Sequence, residues 1–315
     1  MSQQYNLANA TITSNYVGKQ ALPYVAPAIL AADTIANNYV TVLNNVRGRA
    51  QLRKFSGSAI TAATCTFTTD TALALSDVAL SLTDLQINDQ ICNKDLHMAW
   101  ESEQMIGAAA AAPADMKAAA GQYVAKKAAE AIEVNLWQGS YNPDGGAVTG
   151  AGVSTLFPGL LNLMTAASPT YEANLTGALT AANILSKLLA LTTTQCPPAL
   201  KGDPNATIYM SRGARQLYFS ALAGTAQLAF FAEGMADKYA GYRVVAPAGF
   251  PDDTLLISRP DNLYVGTNLL TELTEARVLD LIDVTGDDVT RVIMKFAFGT
   301  QVVDHNSYGL LRRTT

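Results

Sequence analysis

The chain has 315 residues, enough for one large domain or two ordinary ones with a full core. Hydrophobic residues make up 49% of it and charged residues only 15%, against a usual charged share of about 25%. No apolar run approaches the roughly 18 residues that cross a bilayer, and the net charge of −5 excludes a globally basic nucleic-acid binder. We therefore expect a large area of this chain to be covered by other subunits.

The N-terminal residues 1–25 lack an amphipathic pattern and contain Gly18 and Pro23, which indicates an extended arm. The polar start has no basic head followed by an apolar core, so no signal peptide is predicted. Three widely spaced cysteines are expected as buried thiols of a reducing cytoplasm: Cys65, Cys92 and Cys196. A short helix that begins at Pro27 is expected to end near Asn38.

Residues 40–54 alternate apolar and polar side chains with a period of two, which predicts one extended strand. Arg47, Arg49 and Arg53 fall on its polar face, and Lys54 follows them directly. A loop over 56–62 and a returning strand over 64–69 would complete a two-stranded ribbon. Such a ribbon is at best marginally stable alone, so we expect it to lie on its own domain or on another subunit.

The rest of the chain predicts a mixed α and β architecture. A helix is expected over 89–105 and one long helix over 113–138, where Pro113 suits the first turn and Gly139 the end. Residues 140–154 are dense in Gly, Asn and Pro, as in a linker. An α/β region follows, with helices over 180–192 and 213–222 and strands over 207–211, 242–246, 254–258 and 262–266. A long final strand over 289–303 would turn Val292, Met294, Phe296 and Phe298 inward.

Acidic residues gather late in the chain, where only Arg277 opposes six carboxylates between 272 and 288. A basic ribbon and an acidic segment in one chain can pair between copies, or they can remain two solvated surfaces. The candidate inter-subunit residues are Arg47, Arg49, Arg53, Lys54, Glu272, Glu275, Asp280 and Asp283.

No catalytic, cofactor-binding or metal site is predicted, so we do not expect an enzyme. His97 and His305 have no Cys or His at metal-ligand spacing, and no nucleophile elbow, P-loop or HExxH motif occurs. A β-turn explains the paired carboxylates Asp287 and Asp288 better than acid–base chemistry.

Taken in order, these pieces resemble a phage major capsid protein of the HK97-like fold. Several segments have sequences similar to those of that family, among them INDQICNKDLHMAWESEQM (87–105), RPDNLYVGTNLL (259–270) and VLDLIDVTGDDVTRVIMKFAFGTQV (278–302). The resemblance covers nearly the whole chain. It implies an α+β fold made of an N-terminal arm (1–39), an extended E-loop hairpin (40–75), a P-domain with a spine helix (76–139 and 272–315) and an α/β A-domain (140–271).

The resemblance also implies a function: hexamers and pentamers that form an icosahedral shell around double-stranded DNA. Because the arm begins at Met1, a separate scaffolding protein is expected, together with a portal protein, while the presence of a decoration protein is left open. No Lys or Asn matches a cross-linking site, so the contacts are expected to be non-covalent. The subunit would assemble in the host cytoplasm and reside in the virion capsid, without sequence-specific DNA contacts.

Two other functions remain open at this stage. An encapsulin-type compartment has the same fold and would enclose protein cargo instead of a genome. A nucleic-acid binder could use the basic ribbon, although the lack of aromatic residues among its arginines opposes single-strand binding.

Overall fold

A computed structural model describes residues 33–56, 74–92, 113–139, 156–167, 169–224, 237–268, 275–281 and 289–313. Its helices are α1 (Asp33–Ala36), α2 (Pro113–Gln138), α3 (Leu160–Ala166), α4 (Ile184–Thr193) and α5 (Arg212–Gly224). Its strands are β1 (Thr41–Leu43), β2 (Arg49–Ser56), β3 (Ala74–Ser81), β4 (Thr83–Cys92), β5 (Glu172–Leu175), β6 (Thr207–Met210), β7 (Lys238–Tyr239), β8 (Tyr242–Val245), β9 (Thr254–Ser258), β10 (Leu263–Thr267), β11 (Glu275–Asp280), β12 (Val289–Val302) and β13 (Tyr308–Arg313).

The chain forms two compact units. Among the described residues, one unit comprises 84–92, 113–132, 268, 275–281 and 289–297, and the other comprises 33–56, 74–83, 133–139, 156–167, 169–224, 237–267 and 298–313. Helix α2 and strand β12 each contribute residues to both units.

The core of the second unit is a six-stranded sheet in the order β5-β13-β9-β6-β8-β7. Strands β6 and β9 are buried along their whole length, as expected for central strands of a covered sheet. Helices α4 and α5 add Leu188, Leu191, Ala214 and Tyr218 to the same hydrophobic core. In the same unit, β10 lies parallel to β1 and antiparallel to the last five residues of β12.

In the first unit, β11 runs antiparallel to the first half of β12, so that Glu275 lies opposite Lys295 and Asp280 opposite Thr290. Strand β4 also pairs with β12. Arg291 Nε donates a hydrogen bond to Gln90 Oε1 at 3.2 Å.

Several predictions from periodicity are confirmed. The long helix has the predicted bounds, Pro113–Gln138. The inward side chains of β12 are buried, while Lys295 on the other side is exposed. The α+β class is also confirmed, and Cys196 is a buried thiol.

The single strand over 40–54 is wrong, because the chain turns between β1 and β2. Asn45 and Gly48 have φ angles of 63° and 70°, a left-handed conformation that interrupts an extended strand. The partner of β2 is β3, which crosses the expected boundary between residues 75 and 76. The predicted returning strand over 64–69 lies outside the described residues.

The predicted helix over 89–105 is wrong at its start, where residues 89–92 continue strand β4. Its remainder and the linker over 140–154 lie outside the described residues. In the last turns of α2, Ala131 and Val134 are exposed while Glu133 and Asn135 are buried, the reverse of what their polarity favours.

Candidate inter-subunit surface

Strands β2 and β3 form the ribbon, an antiparallel pair in which Arg49 lies opposite Ser81 and Ser56 opposite Ala74. Because alternate residues point to opposite sides, Arg49, Gln51 and Arg53 share one side, and all three are exposed. We call these three residues the arginine face. Arg47 is also exposed, but it lies in the turn before β2.

The arginine face contains one cross-strand ion pair. Arg53 Nε lies 3.7 Å from Asp77 Oδ1, and the two side chains are 65% and 43% exposed. An exposed pair of this kind contributes only about 0.2–1 kcal/mol. The pair therefore leaves Arg53 available to another carboxylate at little cost.

The base of the ribbon is fixed to its own chain by Leu80, which is fully buried. Gly266 and Gly299 lie opposite each other in β10 and β12, beneath β3. A Cβ on Gly266 would overlap the Leu80 side chain, and a Cβ on Gly299 would overlap the carbonyl oxygen of Ser81. Because these two glycines, which we call the glycine cradle, have no side chains, β3 can lie close against β10 and β12.

Hydrogen bonds reinforce this attachment at the base. Gln301 Nε2 donates to the carbonyl oxygen of Ala79 at 2.7 Å. The backbone amide of Leu82 donates to Gly48 at 3.1 Å, and that of Val46 donates to Thr267 at 3.1 Å. Further from the base, Leu75 in β3 is 53% exposed, so the ribbon carries an uncovered apolar side chain away from its attachment point.

Lys54 differs from Arg53, because its ion pair within the chain is shorter and less exposed to solvent. Its Nζ lies 2.6 Å from Asp304 Oδ1, in the turn between β12 and β13. Sequence reasoning missed Asp304. The Asp304, Asn306 and Ser307 spacing does carry a turn signal, but nothing in it points to a lysine 250 positions earlier.

The acidic half of the predicted surface is described only in part. Glu275 and Asp280 are the end residues of β11. Glu272 and Asp283 lie outside the described residues, as do Asp287 and Asp288.

A buried carboxylate joins three segments of the second unit. Glu133 of α2 is 3% exposed and accepts hydrogen bonds from Thr34 N at 3.0 Å and from Gly249 N at 3.5 Å. Thr34 Oγ1 also donates to Glu133 and accepts a hydrogen bond from Trp137 Nε1 at 2.8 Å. Burial raises the pKa of Glu133 above its ordinary 4.5, although the hydrogen bonds from Thr34 and Gly249 oppose this.

Within the described residues, no group of three His, Cys, Asp or Glu side chains could hold a metal ion. In the same part of the chain, no helix combines the length and apolarity that crossing a membrane requires. His305 lies in the turn after β12, with its ring 6.3 Å from that of Tyr308, and His97 is outside the described residues.

The fold is similar to solved structures of phage particles. The satellite phage P4 procapsid including the size determination (Sid) protein matches 92% of this chain and 98% of that chain, at a TM-score of 0.57 and 13% identity. A structure from Gordonia phage Cozz matches 90% of this chain and 87% of that chain, at a TM-score of 0.53 and 13% identity. The capsid of an empty GTA particle matches 100% and 95%, at 0.52 and 12%.

No protein-family model and no curated protein matches the sequence. At these low identities the structural likeness shows the fold, which is that of phage capsids. It confirms the phage-capsid fold that the resemblance implies.

Proposed function

We propose that this chain is the shell-forming major capsid protein of a tailed double-stranded DNA phage. The observation that carries the proposal is the ribbon, which is anchored at its base and exposes an arginine face and Leu75 beyond it. A two-stranded ribbon has no core of its own, so its outer part gains stability only by covering another surface.

In this proposal the chain forms hexamers and pentamers that close into an icosahedral shell. Such rings need heterologous contacts, in which one patch of a subunit meets a different patch on the next. The ribbon is the E-loop, and α2 is the spine helix of the P-domain. The six-stranded sheet with α4 and α5 belongs to the A-domain, except that its strand β13 comes from the expected P-domain range 272–315.

The arginine face and Arg47 would dock on the acidic segment of the adjacent subunit, which carries Glu272, Glu275, Asp280 and Asp283. Each exposed ion pair adds only about 0.2–1 kcal/mol, whereas burying an apolar side chain such as Leu75 adds about 1.5–3 kcal/mol. Burial of Leu75 alone is therefore comparable to the three arginine ion pairs together, which would add about 0.6–3 kcal/mol. The charges would set the partner and the register, and Lys54 would act within its own chain.

The proposed role is structural and not enzymatic. The expected partners are further copies of the chain, a scaffolding protein and a portal protein, and the presence of a decoration protein is left open. The shell would enclose double-stranded DNA without reading its sequence, and the subunit would assemble in the host cytoplasm and end in the virion capsid.

The encapsulin alternative shares the fold, but the phage and GTA particles to which this chain is similar do not favour it. Nucleic acid extracted from purified particles would separate the two functions. A free nucleic-acid binder would form no ordered particles, and its affinity would fall steeply with salt.

Charge reversal tests the docking surface. The triple variant Arg47→Glu, Arg49→Glu, Arg53→Glu should abolish particles seen by negative-stain microscopy, because glutamates would face the neighbour's carboxylates. The matched control replaces the same three residues with Lys, which keeps the charge and should still allow assembly.

A second control checks that the ribbon itself survives the reversal. Glu at position 53 would lie across the strand from Asp77, which destabilises a β pair. Adding Asp77→Lys restores an opposite-charge pair on the same ribbon. Normal particles from the folded triple variant would refute the docking proposal.

A further inference from the structure

Lys54 and Asp304 form a partly shielded ion pair between the ribbon and the turn that joins β12 to β13. Their side chains are 25% and 23% exposed, compared with 65% and 43% for Arg53 and Asp77 on the arginine face. A pair that is partly removed from water is less screened by solvent and salt than an exposed one.

The carboxylate of Asp304 is held in place by its own turn. It accepts hydrogen bonds from Asn306 N at 2.9 Å and from Ser307 Oγ at 2.6 Å. Its backbone is fixed by Asn262, which accepts from Asp304 N at 2.7 Å and donates to Asp304 O at 2.9 Å. The acceptor is thus oriented before Lys54 reaches it, so less order is lost when the pair forms.

The titration of Asp304 agrees with this geometry. Burial raises its pKa, but hydrogen bonds from Lys54, Ser307 and Asn306 outweigh that effect and leave the pKa below its ordinary value of 3.8.

The pair lies at a second point along the ribbon, away from the glycine cradle. Lys54 is opposite Ser76, which is four residues along β3 from Leu80, a separation of about 13 Å at 3.3 Å per residue. A hairpin fixed only at Leu80 can swing about its base. A second contact at Lys54 restricts that swing.

We propose that the Lys54–Asp304 ion pair is a latch that sets the direction of the ribbon in the single subunit, before any neighbour is met. The consequence for assembly rests on the proposed function, but the latch itself does not. Lys54 is therefore a positioning residue, whereas Arg47, Arg49 and Arg53 are docking residues.

Single-molecule fluorescence transfer tests the direction of the ribbon in isolated subunits. Dyes would be attached to non-natural amino acids at Gln51 on the ribbon and at Leu189, which is 55% exposed on α4. The wild type and Lys54→Arg should each give one narrow transfer population. Lys54→Met, Asp304→Asn and their double variant should all lose it to the same extent, because each breaks the same pair.

The variants are chosen to keep the local structure. Methionine retains an unbranched apolar stem. Asparagine retains one side-chain oxygen that can accept from Asn306 N, and its amide nitrogen can donate to Ser307 Oγ. Asp77→Asn is the matched control, since it breaks the exposed pair on the same ribbon and should leave the narrow population unchanged. An unchanged population in Lys54→Met, or an equal loss in Asp77→Asn, would overturn the latch.

Assembly yield is measured separately on the same variants. We expect a several-fold lower yield of closed particles from Lys54→Met than from Lys54→Arg. A normal yield with a broadened population would overturn the role of the latch in assembly. A wild-type chain that never forms particles would instead refute the proposed function, while the fluorescence comparison would still decide whether the latch exists.

Discussion

At the scale of single residues, Glu133 is an ionisable side chain that is buried in the folded chain, and this burial raises its pKa. It is 3% exposed, and the donors that reach it, Thr34 and Gly249, carry no positive charge. Nearby Asp33 raises its pKa further. The ionised form is therefore destabilised in the folded chain and not in the unfolded one.

This burial predicts a pH dependence of folding. Because the folded pKa is raised, the folded state holds the Glu133 proton over a pH range in which the unfolded state releases it. The Glu133 contribution to the free energy of unfolding should fall as pH rises from about 4.5 through the folded pKa, by at most about 1.4 kcal/mol per pH unit. His305, whose pKa burial lowers, contributes a slope of the opposite sign, so the Glu133 slope is read as the difference between wild type and variant. Glu133→Gln, which mimics the neutral acid, should remove this slope in guanidinium titrations between pH 4.5 and 7.5.

Glu130→Gln is the control on the same helix. Glu130 is exposed, and its hydrogen bond from Lys127 lowers its pKa. Above about pH 6 it is ionised in both the folded and the unfolded state, so there its substitution should leave the slope as in the wild type. A wild-type slope that persists in Glu133→Gln would show that another group is responsible.

At the scale of elements, the contact between the ribbon and the sheet depends on two glycines that face each other. Gly299 has backbone directly above it, the carbonyl of Ser81, and backbone cannot move aside as a flexible side chain can. The packing of β3 against β10 and β12 should therefore be disrupted by a single methyl group added at Gly299.

Gly299→Ala should destabilise the chain by about 1–3 kcal/mol through overpacking and should lift β3 from the sheet. Chemical denaturation measures the first effect, and faster hydrogen exchange of the β3 amides measures the second. Gly213→Ala is the control, because its Cβ would approach only side-chain atoms, Asp252 Oδ1 at 3.3 Å and Ser211 Oγ at 3.7 Å, and alanine favours the helix. Equal stability of Gly299→Ala and the wild type would contradict the cradle.

The elements also mark where sequence reasoning succeeds and where it stops. The alternation of apolar and polar residues predicts β12. A proline at the start and a glycine at the end predict α2, and both signals are local in the sequence. The turn at Asn45 and Gly48 has a local signal as well, yet the alternating pattern around it outweighs that signal.

Contacts between distant segments are beyond such signals. The pairing of β2 with β3, the seat of Leu80 on Gly266 and the pair between Lys54 and Asp304 depend on how the whole chain packs. The burial of Glu133 is of the same kind, since a charged residue near the end of a helix is most often exposed.

At the scale of the whole molecule, composition and structure lead to the same expectation. A chain with 15% charged residues has little charge with which to cover a monomer surface. The ribbon adds a segment that is held at its base and uncovered beyond it. Both features are explained if neighbouring copies cover the remaining surface.

A cryo-electron microscopy reconstruction of particles formed by the wild-type chain tests this account most directly. We predict a closed shell in which Arg49 or Arg53 of each subunit has a guanidinium nitrogen within about 4 Å of a carboxylate oxygen on the adjacent subunit. A closed shell whose arginine face points into solvent, or a chain that remains a monomer at high concentration, would contradict it.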